Sequence, residues 1–194
     1  MDYSGLGAVQ SSIRPHLGGN IGAGDPFTYA PRVWDYLLSR FPVRSVLDLG
    51  CGTGHASRYF SSKGAVVIAV DGLPENIQSA VYPGICLDLT KQHVEVRVDL
   101  VHCQEVVEHI EEQFVGNIVN SFKGGRFVCM THAFPGQGGY HHVNERAPDY
   151  WVDLMTKNGF SLLGEDTNRV RLLAGLDGAV YLNESGLVFH NLDY

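Results

Sequence analysis

The ten residues Ser45–Gly54, Ser-Val-Leu-Asp-Leu-Gly-Cys-Gly-Thr-Gly, constrain this chain more than any other stretch. Val46, Leu47 and Leu49 form a short apolar run around a carboxylate, Asp48, and glycine recurs at 50, 52 and 54. A run that short, ending in glycines, reads as a buried parallel strand entering a tight turn. Glycine there allows positive φ and removes the Cβ that would hold a ligand off the backbone. His55–Lys63 looks helical, so the expected unit is strand, glycine loop and helix N-terminus, which presents free backbone N–H groups to a ligand. The dinucleotide fingerprint glycine-x-glycine-x-x-glycine fails in both registers, its last position falling on His55 or Ser57, which speaks against a nicotinamide oxidoreductase. A glycine-rich turn with no ligand is the bland alternative.

At 194 residues with 44% hydrophobic content the chain suits one domain with a real core. No apolar run approaches a membrane span and no basic segment precedes an apolar one at the start, so the expectation is a soluble, cytoplasmic protein. Cys51, Cys86, Cys103 and Cys129 show no close pairing and are expected as reduced thiols. A net charge of −7 and the lack of a basic run disfavour a nucleic-acid partner.

Residues 1–30, rich in glycine and serine, read either as a flexible leader or as a lid; Phe27, Tyr29 and Trp34 favour the lid. Residues 31–194 are expected as the single folded domain. Pro31–Phe41 is predicted helical, with Val33, Trp34, Leu37, Leu38 and Phe41 on one face. Ala65–Val70 is a second strand ending in Asp71, where one carboxylate can accept hydrogen bonds from both hydroxyls of a ribose or simply cap the helix starting at Pro74. Gly84–Leu89 reads as a third strand, and Val94–Val98 as half-buried and extended. Asp99–Cys103 is the fourth strand, and Val107, Ile110, Phe114, Ile118 and Phe122 make a helical stripe. Arg126–Thr131 is the fifth. Residues 132–145 then form a glycine-rich loop with three histidines, a tyrosine and a carboxylate, at the edge where open α/β sheets bind ligands. A helix over Pro148–Lys157, a strand over Phe160–Leu163 and a short helix over Thr167–Ala174 follow. Ala179–Leu182 and Leu187–Phe189 are apolar, with Asn183–Gly186 as a bulge or turn. The alternation predicts a doubly wound, mostly parallel seven-stranded α/β sheet with helices on both faces.

Asp48-Leu49-Gly50-Cys51-Gly52-Thr53-Gly54 resembles motif I, D/E-x-G-x-G-x-G, of the class I S-adenosylmethionine-dependent methyltransferases, and the chain also resembles small members of methyltransferase domain 23. The resemblance implies an antiparallel last strand and a cofactor site for S-adenosylmethionine. That site would draw on Asp48, Gly50, Cys51, Gly52 and Gly54 in the loop and on Asp71, Gly72 and Leu73 after the second strand. Asp88 and Leu89 at the third strand would meet the adenine, and Gln104 would follow the fourth. Gln104–Ile110 is similar to the segment that in small-molecule methyltransferases opens a helix beside the reactive methyl, which puts Glu105 near the chemistry; Glu108 and His109 read equally as structural. The implied activity is in-line methyl transfer to a small-molecule or sugar-like oxygen or nitrogen. His132, His141 or His142 is the candidate base, with Tyr140 or Asn144 orienting substrate. No metal is expected: His132, His141, His142 and Glu145 lack a familiar ligand spacing. The alternatives are a methyltransferase acting on a protein or nucleic-acid end, and a non-catalytic scaffold of the same fold.

Overall fold

The computed structural model describes residues 8–10, 14–21 and 23–194. The expected leader falls partly outside these residues. Its described part holds two short antiparallel strands, β1 (Ala8–Gln10) and β2 (Gly19–Ile21), and two single 3-10 turns.

The helix α1 (Pro31–Arg40) begins with proline at its first position, where the missing N–H costs nothing. Alternating units follow: β3 (Ser45–Leu49), α2 (His55–Ser62), β4 (Val66–Asp71), α3 (Pro74–Gln78), β5 (Gly84–Cys86), β6 (Val98–Cys103), α4 (Val115–Phe122) and β7 (Gly125–Met130). The chain closes with α5 (Pro148–Lys157), β8 (Phe160–Leu162), α6 (Gly164–Asp177), α7 (Val180–Ser185) and β9 (Leu187–Asn191). The second sheet has seven strands in the order β5-β4-β3-β6-β7-β9-β8. Strands β5 to β7 run parallel, and β9 alone runs antiparallel, between β7 and β8. The expected doubly wound sheet with an antiparallel last strand is the observed one.

Successive side chains point to opposite faces of a strand. Val46, Leu100, Phe127, Cys129 and Val188 therefore pack with α1, α2, α6 and α7, through Trp34, Leu37, Phe60, Val170 and Leu182. Leu47, Val101, Val128, Met130 and Phe189 pack on the other side with Ile118 and Phe122 of α4 and Trp151 and Met155 of α5. Being buried on both faces is what makes these strands read as nearly continuous apolar runs.

Several expected elements change. The third strand stops at Cys86, and residues 92–97 have no regular structure. The stripe from Val107 to Phe122 is not one helix: two 3-10 turns, Val107–His109 and Glu112–Phe114, precede α4. The helix expected over Thr167–Ala174 extends to fourteen residues. Residues 180–185 are helical rather than extended. Tyr181, Leu182 and Ser185 are the buried positions, and Asn183 and Gly186 donate backbone N–H groups to Ala179 and Leu182. A three- or four-residue apolar run carries no period, so packing against α6 decides its conformation.

Candidate active site at the strand tips

The C-terminal ends of β3, β4 and β6 open into a cavity of about 970 Å³. Gly50, Gly52 and Gly54 all take positive φ. At Gly50 this is coupled to a close approach, since a Cβ there would sit 2.1 Å from Cγ2 of Val106. At Gly52 a Cβ would meet no protein atom and would project into open space. Four of the loop's N–H groups are not free as expected. Gly50 and Cys51 donate to the Val70 carbonyl at 2.8 and 2.9 Å, Gly52 to Asp71 Oδ2 at 2.8 Å, and Gly54 to Cys51. The loop is thus laced to the neighbouring strand, and at Gly52 it offers room rather than a donor. Burial, then the charges of Asp48 and Asp71, push the Cys51 thiol above its usual range.

Asp71 ends β4 and lines the cavity. Its Oδ1 accepts from the Leu73 N–H at 2.8 Å and Asn76 Nδ2 at 3.0 Å, and its Oδ2 accepts from Gly52. It therefore ties the glycine loop to the start of α3. Burial raises its pKa, against these three hydrogen bonds. Gly72, Leu89 and Gln104 also line the cavity, and Nε2 of Gln104 is buried without a partner.

Asp48 does not reach the loop amides. It shares a strand face with Val46, so it points to the α1–α2 side. There Oδ2 accepts from Ser57 Oγ at 2.5 Å and Oδ1 faces His102 Nδ1 at 2.8 Å. The indole N–H of Trp34 lies 3.3 Å from His102 Nε2. An indole only donates, so Nε2 accepts and the imidazole proton sits on Nδ1, toward Asp48. His102 carried no recognised motif; its alternation with Leu100 on β6 was the only available signal.

Of the described residues before α1, His16, Leu17, Gly24 and Tyr29 border the same cavity. His16 Nε2 lies 3.3 Å from Asp88 Oδ2. Asp88 itself does not line the cavity. Partial burial works against its ionised form, but hydrogen bonds from Thr90, Lys91 and His16 win and hold its pKa down at about 2.

The other end of the cavity is built from the segment after β6. Glu105 has φ of 56°, a strained conformation for a non-glycine residue. Its N–H donates to Thr131 Oγ1, whose hydroxyl donates back to Glu105 Oε1, at 2.8 and 2.9 Å. Its carboxyl faces that of Glu108, which is fully buried. Burial pushes Glu108 up to about 7; burial and the Glu108 charge raise Glu105 well above the carboxylate range. Burial, then the neighbouring His142, pulls His109 down to about 4, and burial lowers His142. The His109 and His142 rings stand 5.0 Å apart, nearly perpendicular.

His142 arrives from the 132–145 loop. Val143 and Asn144 both donate backbone N–H groups to the Glu108 carbonyl, at 2.9 and 3.1 Å. Glu145 accepts from the N–H groups of Gly136 and Gly138, both at 2.7 Å, which shapes the loop tip. Of the predicted loop residues, His142 and Tyr140 line the cavity. His132 does not: it is buried beside Phe134 and Ser185, where burial lowers its pKa. His141 takes φ of 54° and also misses the cavity wall. Asn144 is 1% exposed and braces the loop, accepting from Arg146 Nε at 3.1 Å, so it is not placed to touch a substrate. Gly54 and Leu73 likewise lie off the wall, Gly54 as the left-handed cap of α2 and Leu73 in the core. The set His132, His141, His142 and Glu145 is not gathered. A different set is: donor atoms of Glu108, His109 and His142 lie within 4.8 Å of one another.

Among the described residues no helix is long and apolar enough to cross a membrane. Over 97 residues the chain is 34% identical to the ubiquinone biosynthesis O-methyltransferase of Rickettsia typhi, a match covering 44% of this chain and 39% of that protein. The chain spans less than half the length of the curated relatives it matches. Among solved structures it resembles the magnesium protoporphyrin IX methyltransferase of Synechocystis PCC 6803 with bound S-adenosylmethionine, at 22% identity and a TM-score of 0.56 over 68% of this chain and 67% of that one. TehB of Haemophilus influenzae is similar at 18% identity and a TM-score of 0.56, over 70% and 52% of the two chains. The fold thus recurs in solved methyltransferase structures. A family model described as a methyltransferase domain matches residues 27–167, well over half of the sequence, and the chain belongs to that family.

Proposed function

We propose that this protein transfers a methyl group from S-adenosylmethionine to an oxygen or nitrogen nucleophile of a small molecule. The observation that carries this reading is that Gly52 and Asp71, at adjacent strand tips, share one cavity with the Glu105–His142 cluster. The residues present fit the cofactor. The space beyond Gly52 admits a ligand against the backbone, and Gln104 holds an unpartnered amide nitrogen beside it. Asp71 has about four lone-pair positions, of which the protein occupies three; the remaining one faces a ribose hydroxyl in this reading.

When bound, the cofactor supplies a sulfonium methyl, a strong electrophile needing little more than alignment and desolvation. Gly50, Cys51 and Gly52 hold the methionine part, Asp71 and Gly72 the ribose, Leu89 the adenine face, and Gln104 a polar edge. Asp88 acts at one remove, by holding His16 at the cavity rim. The described segment before α1 roofs the nucleoside end as a lid. Asp48 supports the loop from below through Ser57 and His102. Tyr140, His142 and Glu105 face the acceptor.

Isothermal titration with S-adenosylmethionine and S-adenosylhomocysteine, with NADH as control, tests the reading. Micromolar binding of the first two, lost in Asp71→Ala and weakened in Gln104→Ala with unchanged circular dichroism, is expected. No binding of either by the wild type overturns it. Binding without turnover over an acceptor screen moves the scaffold reading forward.

A further inference from the structure

We propose that Glu108, His109 and His142 bind a first-row divalent cation, Mn²⁺ or Zn²⁺, in the wall at the acceptor end of the cavity. The site stands on its own geometry; the role given to it below rests on the methyltransferase reading.

Glu108 has no exposed surface, and its two carboxylate oxygens meet only its own backbone N–H and the neighbouring Glu105 carboxyl. Among the described residues no lysine or arginine pairs with either glutamate. Nδ1 of His109 is also buried without a hydrogen-bond partner, and Nδ1 of His142 has only the Glu145 carboxylate near it, at 3.7 Å. A buried carboxyl with so few donors is costly, and such groups persist where they pair or coordinate a metal. Here two carboxyls and two imidazoles converge from two segments of the chain, and the donor atoms of Glu108, His109 and His142 fall within 4.8 Å.

Metal–ligand bonds of roughly 2.0–2.2 Å put tetrahedral donors about 3.4 Å apart, so side-chain rotations drawing the donors in by up to roughly 1.4 Å close the site. Carboxylate mixed with imidazole suits Mn²⁺ and Zn²⁺ better than Mg²⁺ or Ca²⁺, which favour oxygen alone. The backbone is already arranged for it. The loop is stitched to the Glu108 carbonyl through the N–H groups of Val143 and Asn144, which sets His142 beside His109. Glu105, held by Thr131, places a second carboxyl behind the site.

Three protein ligands leave coordination positions open, and because His109 and His142 line the cavity these positions face it. An acceptor hydroxyl that takes one is acidified by the cation. Its O–H bond breaks and the proton leaves to water. The O–CH₃ bond then forms as the S–CH₃ bond breaks, and the sulfonium becomes a neutral thioether. In this arrangement His142 is a ligand and not the base.

The test is titration calorimetry of EDTA-treated full-length protein with Mn²⁺ and with Zn²⁺, each alone, backed by the Mn²⁺ resonance signal. One ion per chain is expected, with affinity reduced at least ~tenfold in Glu108→Gln and in His142→Ala. Metal should raise the melting temperature of the wild type and not of the variants. Glu108→Gln keeps the side chain's shape, and His142→Ala lies on a loop; circular dichroism verifies both folds. The proposal is overturned if the wild type shows no saturable binding, or if binding survives both substitutions. S-adenosylhomocysteine is titrated into the same samples. Its binding without metal binding sinks the cation site and spares the methyltransferase reading; metal binding without it does the reverse.

Discussion

His102→Leu is the sharpest probe of what holds the glycine loop. His102 joins Asp48 at 2.8 Å and receives the Trp34 indole at 3.3 Å, with side chains of His102 and Asp48 only 4% and 3% exposed. Leucine is close in size, so most of the loss is polar. An orphaned indole N–H costs about 1–3 kcal/mol, and loss of a hydrogen bond to a carboxylate about 1.5–3 kcal/mol. The sum, about 2.5–6 kcal/mol, brackets the ~3–5 kcal/mol that breaking a buried pair costs. At roughly 2–4 °C per kcal/mol for a domain of this size, the melting temperature falls by about 5–24 °C. Urea denaturation monitored by tryptophan fluorescence, with an unchanged slope against denaturant, reads the loss directly. Asp48→Leu/His102→Leu removes donor and acceptor together and should recover at least ~1 kcal/mol over His102→Leu, because the buried carboxylate goes with its partner. A single-variant loss below ~1 kcal/mol, or a double variant no more stable than the single, would refute the network.

His132→Phe replaces a buried ring whose Nε2 has no partner and which packs edge-on against Phe134 at 5.0 Å. Stability in urea should stay within ~1 kcal/mol of the wild type, with cofactor affinity and turnover unaltered; a tenfold fall in turnover would return His132 to the site. Asp88 has a folded pKa of about 2, below its ordinary value. Its contribution is therefore present above the unfolded carboxylate pKa of about 3.9 and lost as pH falls through the folded one. Melting temperatures measured from pH 5 to pH 2 should decline less steeply in Asp88→Asn than in the wild type, and equal slopes would contradict the assignment.

The parts legible in the sequence were those whose cause is local. Gly50, Gly52 and Gly54 sit where positive φ is needed within five residues, and Asp71 ends a β-branched run, so loop and carboxylate could be read in order. The alternation of such units implied the sheet, because a strand buried on both faces must be nearly all apolar. What failed was equally physical. Residues 180–185 are too few to show a period, so α6 decides that they coil. The stripe from Val107 to Phe122 has helical spacing, yet its first turns are 3-10, with the Glu108 carbonyl accepting from the 132–145 loop.

The sequence by itself determined the strand–glycine-loop–helix unit, the order of the layers and the placement of Asp71, since each follows from side-chain pattern and backbone freedom over a few consecutive residues. Only the tertiary structure decided which histidine faces the cavity and what Asp48 touches. Those outcomes depend on Val143 and Asn144 docking on Glu108, and on Trp34 and His102 meeting from different elements. Hydrogen bonds between residues 35–68 positions apart leave no periodic trace in the chain that makes them.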